Sequence, residues 1–188
     1  KAVVTDATNN DAYAYQTIGN QDTTYVRSYI YLDEEGFDDS RFLSTLELYN
    51  SSNLPVAGVL IGQVGGDTVL KFRYYSSGGL VTTQGGVSLA LDTWYRVEYK
   101  YDVAGMTWEI LIDGDTKADG LLQSPTRTPD KIVVGILGNT GSASTALYTD
   151  LVAWDDSDWI GEEAPDDETL TVGQSGGYDY TTIQDALA

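Results

Sequence analysis

Trp94-Tyr-Arg-Val-Glu-Tyr-Lys-Tyr101 and Met106-Thr-Trp-Glu-Ile-Leu-Ile112, linked by Asp102 to Gly105, are the stretch that decides the fold. In the first arm Tyr95, Val97, Tyr99 and Tyr101 alternate with Arg96, Glu98 and Lys100. In the second, Trp108, Ile110 and Ile112 share one face, and the run stops at Asp113-Gly114. A period of two is that of a strand with one buried side, and two such runs across a short Gly-containing link are a hairpin. Each arm has an apolar side to hide, so the chain needs a second layer to cover it.

The same pattern spreads outward in both directions. Tyr25 to Leu32 sets Val26, Ile30 and Leu32 against Tyr25, Arg27, Tyr29 and Tyr31. Arg41 to Tyr49 sets Phe42, Leu46 and Leu48 against Leu43, Thr45 and Glu47. Pro55 to Gln63 is apolar through Val59, Leu60 and Ile61, as suits a strand buried on both faces. Gly65-Gly66-Asp67 turns it into Thr68 to Tyr75, where Leu70, Phe72 and Tyr74 alternate with Lys71 and Arg73. Val81 to Thr83, Val87 to Leu91, Lys131 to Leu137 and Ala146 to Trp154 bring the strands to about ten, with no internal helix. A polar loop, Asn139 to Ser144, precedes the last of them.

Composition narrows the chemistry. With 29 acidic residues against 10 basic ones the formal charge is −19, a field that repels nucleic acid and anionic membranes. No run is apolar for long enough to span a bilayer as a helix. The chain has no Cys and no His, which removes disulfides, thiolate chemistry, Ser-His-Asp triads and most zinc sites.

The central strands also resemble a known family. Leu91-Asp-Thr-Trp-Tyr-Arg-Val-Glu98, leading by a hairpin into Trp108-Glu-Ile-Leu-Ile-Asp-Gly114, is similar to the laminin-G-like, concanavalin A-like jelly rolls. In these a W-Y-x-V strand is followed by one ending in D-G. Leu147-Tyr-Thr-Asp-Leu-Val-Ala-Trp154, with Trp159-Ile-Gly161 after it, resembles the family's closing strand and exit. Asp150 matches the first of two family acids, and Leu151 stands where the second would be. The resemblance covers residues 10–161 and implies an antiparallel two-sheet sandwich over residues 1–161. It says little about function, because this fold hosts lectins, lyases, glycosidases and virion parts alike.

Past that domain, residues 162–168 are acidic, contain Pro165 and read as a linker. Residues 169–188 resemble the entrance to a pectate-lyase-like or tailspike-like right-handed β-helix: a short β run, a Gly176-Gly177 turn, and a Thr181 to Gln184 capping box. The expected partners are therefore a downstream β-helix domain and, in an assembly, neighbouring copies of the chain.

Catalysis has no visible motif. Jelly-roll glycosidases place paired acids on one strand as E-x-D-x-x-E, and no such spacing occurs here. Lyases of this fold use Tyr with His, Arg or Gln around a substrate carboxylate; the Tyr are present, but His and the lyase strand motifs are not. These absences lead to an expected non-catalytic segment. Sugar recognition takes aromatic rings for stacking and polar groups for the hydroxyls. Tyr25, Arg27, Tyr29 and Tyr31 form one such candidate surface, and Trp154 and Trp159 are further candidates. The candidate cofactor is a structural calcium ion, which takes oxygen ligands from carboxylates and carbonyls. By the family resemblance Asp150 is its first ligand, with Asp6 and Asp11 brought near by pairing of the terminal strands.

The expected function is thus a non-catalytic, extracellular module that binds a polysaccharide or cell-surface glycan. The alternative is a structural decoration, fibre or filament domain of a virion, because phage structural proteins carry similar L-N-T-W-Y-R strands.

Overall fold

The computed structural model describes the backbone of residues 2–4, 12–34, 42–83, 86–137 and 145–162, with side-chain burial over 13–32, 42–83, 86–135 and 148–162. The expected linker beyond Glu162, the expected β-helix entrance at 169–188, Asp6, Asp11 and the 139–144 loop lie outside the described residues.

The described elements are all strands: β1 (Ala2–Val4), β2 (Ala12–Thr17), β3 (Thr23–Glu34), β4 (Phe42–Tyr49), β5 (Pro55–Val64), β6 (Asp67–Ser76), β7 (Gly79–Thr82), β8 (Val87–Ser88), β9 (Trp94–Asp102), β10 (Thr107–Ile112), β11 (Asp115–Leu121), β12 (Lys131–Leu137) and β13 (Thr145–Asp155). They form two antiparallel sheets, β1-β13-β3-β9-β10-β11 and β2-β12-β4-β5-β6-β7, with β8 added beside β6. This is the expected jelly-roll sandwich.

The two sheets meet through the residues the alternation had singled out. Val97, Tyr99 and Tyr101 are fully buried, as are Val26, Val59, Ile61 and Phe72. Phe72 stacks on Trp108 from the opposite sheet, with ring centroids 4.9 Å apart and planes at 17°. Tyr99 lies 5.7 Å from the same ring. Removing a ring so enclosed costs about 3–5 kcal/mol, since the cavity cannot fully collapse.

Two hairpins explain how the strands find their register. Gly65 and Gly66 have φ of +61° and +89°, and Asp113 and Gly114 have +56° and +88°. Positive φ at both central residues is the turn whose twist matches that of paired strands. The second turn brings β11 back against β10, with Ile112 opposite Asp115. Sequence alternation had ended the sheet at Asp113-Gly114 and missed β11. That strand reads Asp-Thr-Lys-Ala-Asp-Gly-Leu, polar and mostly exposed, as an edge can be. The strands β1 and β2 were also missed.

One predicted alternation is wrong at its start. A register shift between Ser44 and Leu46 against β5 puts Leu43, Leu46 and Leu48 on the core side. Phe42 and Ser44 share the opposite face with Glu47. An extra residue in one strand reverses the facing of everything before it.

Candidate functional site

The sandwich has two outer faces, and each carries charged and aromatic side chains. On the first sheet, Tyr25, Arg27, Tyr29 and Tyr31 stand opposite Lys100, Glu98, Arg96 and Trp94 of β9. They do share a face, as expected. However, the segment following β13 crosses over half of it. Trp159 packs edge-on against Tyr25 at 5.1 Å. Arg27 Nη1 donates to the Gly161 carbonyl at 2.9 Å, and the Gly161 amide donates to Glu98 Oε2 at 3.1 Å. Arg96 Nε lies 3.0 Å from Glu98 Oε1. Arg27 is left 3% exposed and Glu98 1%, so this half of the candidate glycan surface is filled by the chain itself.

The remaining candidates scatter. Trp154 pairs with Val26 and packs against the core, so it is not an outward ring. Tyr29 lies beneath the Arg27 guanidinium, 5.8 Å from its ring centroid. Tyr31 contacts Trp94 at 5.3 Å and Tyr148 at 5.5 Å, and its hydroxyl donates to Asp92 at 3.3 Å. Trp94, 48% exposed, is an aromatic that the sequence reading passed over.

Asp150 sits exposed on β13, where Oδ1 accepts the Leu151 amide at 2.8 Å. Leu151 itself has φ of +48°, at the bulge between Asp150 and Ala153. Among the described residues no three carboxylates converge on a point. The terminal strands do pair, yet Val4 lies opposite Thr145, so β1 runs away from Asp150.

The outer face of the second sheet is built differently. One row of cross-strand neighbours runs Tyr15, Val133, Glu47, Gly58, Arg73, Thr82. Arg73 reaches across Gly58 to pair with Glu47 Oε1, and the same Nη2 lies 2.5 Å from Ser44 Oγ. The reach is possible because Gly58 has no side chain. A Cβ there would lie 2.7 Å from Glu47 Cγ and 2.7 Å from the Leu46 carbonyl oxygen. Glu47 is 1% exposed although it points away from the core, and its Oε2 is buried with no hydrogen-bond partner. Its charge is felt in the interior: Tyr99 is held well above the ordinary tyrosine range, first by burial and then by Glu47.

Around this pair the face is cationic and aromatic. Lys71, next on the same side of β6, has its Nζ 5.0 Å from the Phe42 ring centroid and no carboxylate partner among the described residues. Tyr75 follows on the other side of Arg73, with the Arg127 guanidinium 4.2 Å from its ring centroid. Arg127 is anchored by the Pro55 carbonyl. Lys131 lies on the same face, bonded to Asn53 at 2.6 Å. At the sheet's edge Tyr13 and Tyr15 are 55% and 63% exposed. At about 4.8 Å per strand, the Tyr15 ring stands about 19 Å across the sheet from Arg73.

In a chain with 10 basic and 29 acidic residues, four of the basic ones, Lys71, Arg73, Arg127 and Lys131, lie on or beside this face. In the sequence Lys71 and Arg73 stand out only as the outward half of an alternation. Their concentration against the chain's net charge was the available signal.

No family model and no curated protein matches the sequence. Solved structures match its fold. The marine PL7 alginate lyase of Zobellia galactanivorans superposes with a TM-score of 0.52 at 18% identity, covering 79% of this chain and 71% of that one. A family 7 alginate lyase captured with its product gives 0.57 at 11%, covering 82% and 75%. A cellulose-induced protein, Cip1, gives 0.57 at 16%, covering 80% and 75%. These likenesses show the fold: the chain is a concanavalin A-like jelly-roll sandwich. They also correct the expectation of a non-catalytic module, together with its alternative of a virion or filament building block and the reading of this segment as no enzyme. Over most of its length the sandwich superposes on lyases. The fold persists at 8–18% identity, where strand motifs are no longer recognisable.

Proposed function

We propose that this chain is a lyase of acidic polysaccharides and that its substrate lies on the outer face of the second sheet. The observation that carries the reading is the placement of Tyr13, Tyr15, Lys71 and Arg73 on one face of a protein whose formal charge is −19, with both tyrosines more than half exposed. Rings stack on the C–H faces of sugars, and ammonium and guanidinium groups attract carboxylates. The fold likeness to alginate lyases supports the same reading.

The chemistry suits the residues present. In β-elimination a base takes the proton beside the sugar carboxylate, the C–H electrons form a double bond, and the glycosidic C–O bond breaks as its oxygen gains a proton. Cations facing the carboxylate stabilise the charge that develops there. The chain has no His, so the phenols of this face are the groups suited to carry the proton. Tyr75, beside Arg73 on β6, is the one we assign to this role. The polymer is extracellular, and so is the protein in this reading. Among the described residues no helix is long and apolar enough to cross a membrane.

The test is incubation with polymannuronate, polyguluronate and polygalacturonate while the ultraviolet absorbance of unsaturated product ends is followed. The absorbance should rise on at least one polymer. Tyr75→Phe should lower kcat by about 100-fold or more with KM little changed, the size expected for a lost general acid–base group. A flat trace on all three polymers overturns the proposal.

A further inference from the structure

Glu47 stands out among the described charged groups. It is 1% exposed on an outer face, bonded through one oxygen to Arg73, with the other oxygen sealed and unpartnered. Burying a carboxylate is costly unless its oxygens are satisfied, and half of this one is not. The backbone makes room for it, because Gly58 is the only residue type whose side chain would not overlap the Glu47 Cγ.

What this arrangement achieves is a fixed guanidinium. Nη2 of Arg73 donates to both Glu47 and Ser44, while Nε and Nη1 have no hydrogen bond among the described residues. The Arg73 side chain is 21% exposed, so part of it reaches the face. An unrestrained Arg loses rotamer freedom on gripping a ligand; one already held across Gly58 loses less.

We propose that Glu47 is a positioning residue for Arg73, and that the pair selects carboxylate-bearing sugar units over neutral ones at this face. The proposal rests on the function argued above and names the group recognised there. It makes a prediction of sign. If Glu47 merely neutralised Arg73, replacing it by Gln would free a cation and strengthen binding of an anionic sugar. If Glu47 positions Arg73, the same change weakens binding despite the added positive charge.

The experiment is calorimetric titration of the full chain with an oligouronate and with a neutral cello-oligosaccharide, alongside a urea melt of each variant. Wild type should prefer the oligouronate. Glu47→Gln should bind it about tenfold more weakly, the scale of loss for a group that orients a binding residue, with neutral binding unchanged. Arg73→Lys, which keeps the charge and loses the rigid planar group, should show the same loss; it also serves if Glu47→Gln fails to fold. Glu47→Gln binding as tightly as wild type, or tighter, overturns the positioning role. Wild type binding both ligands alike overturns the selectivity. Because the readout is binding, an oligouronate preference without any polymer cleavage would sink the lyase reading and leave this one standing.

Discussion

The two outer faces of the sandwich are made from the same kinds of residue and put them to different uses. On the first sheet Arg27, Arg96, Glu98 and Tyr25 are all engaged by residues 159–162, and Arg27 and Glu98 are sealed from solvent. On the second sheet Glu47 is sealed in the same way, but its partner Arg73 keeps 21% of its side chain exposed, Lys71 has no carboxylate partner among the described residues, and Tyr15 stands 63% exposed. Alternation alone makes both faces look like candidate sites. Among the described residues, what separates them is the return of residues 159–162 across the first face, and that is a property of the tertiary path.

The largest expected effect is on the covered face. Glu98→Ala removes the acceptor of the Gly161 amide and the partner of Arg96 at once, leaving a charge and an amide unsatisfied in a buried place. Loss of one member of a buried pair costs about 3–5 kcal/mol, read as a shift in the urea midpoint. Turnover per folded molecule should not change. A fall in kcat of the folded fraction would break the distinction between a structural face and a working one.

Acid should act on the covered sheet next. Asp102 ends β9 with Oδ1 accepting from the Gly105 amide at 2.6 Å and from Thr23 at 3.2 Å, and with Lys100 Nζ at 3.1 Å from Oδ2. Burial pushes its carboxyl up, but the Gly105 amide and Lys100 outweigh this and hold it below the ordinary Asp range. Lys100 loses from burial and gains more from Asp102, so it is raised. For the depressed acid, stability is fully present above the unfolded value, about 3.9, and is lost as pH falls through the folded one. For the raised lysine it is complete below the ordinary lysine value and lost only in strong alkali. Urea midpoints measured from pH 5 down to pH 2 should therefore fall, and Asp102→Asn should start lower and fall less. Parallel curves for the two proteins would remove Asp102 as the cause.

How much of this was readable beforehand follows from the physics of each element. The core was legible because Val97, Tyr99, Tyr101, Trp108 and Ile110 obey strict alternation against charged neighbours. The edge strand β11 was not, because an edge needs no apolar face; its one signal was the Asp113-Gly114 turn that demands a returning strand. The reversed facing of Phe42 and Leu43 was hidden, since a bulge leaves no mark in composition. Tyr25 and Arg27 were correctly placed on one face, but their cover comes from residues over a hundred positions away, which no local pattern encodes. Lys71 and Arg73 were visible as outward residues, while Glu47 became meaningful only once Gly58 was seen between it and Arg73.

The smallest effect on stability should accompany a clear effect on binding, and that combination is the sharpest test of the second face. Tyr13 and Tyr15 touch no other ring within the described residues, and they pair through backbone with Gly135 and Val133. Truncating both to Ala removes little buried area, so the urea midpoint should move by no more than about 0.5 kcal/mol per site. A polymer crossing from Arg73 toward the sheet edge would lose its stacking surface, raising KM severalfold and leaving kcat for a short oligomer bound near Arg73 unchanged. The same substitution at Tyr25, beneath Trp159, should do the reverse and lower stability without touching KM. If Tyr13 and Tyr15 matter only to folding, or Tyr25 matters to polymer affinity, the assignment of the two faces is the wrong way round.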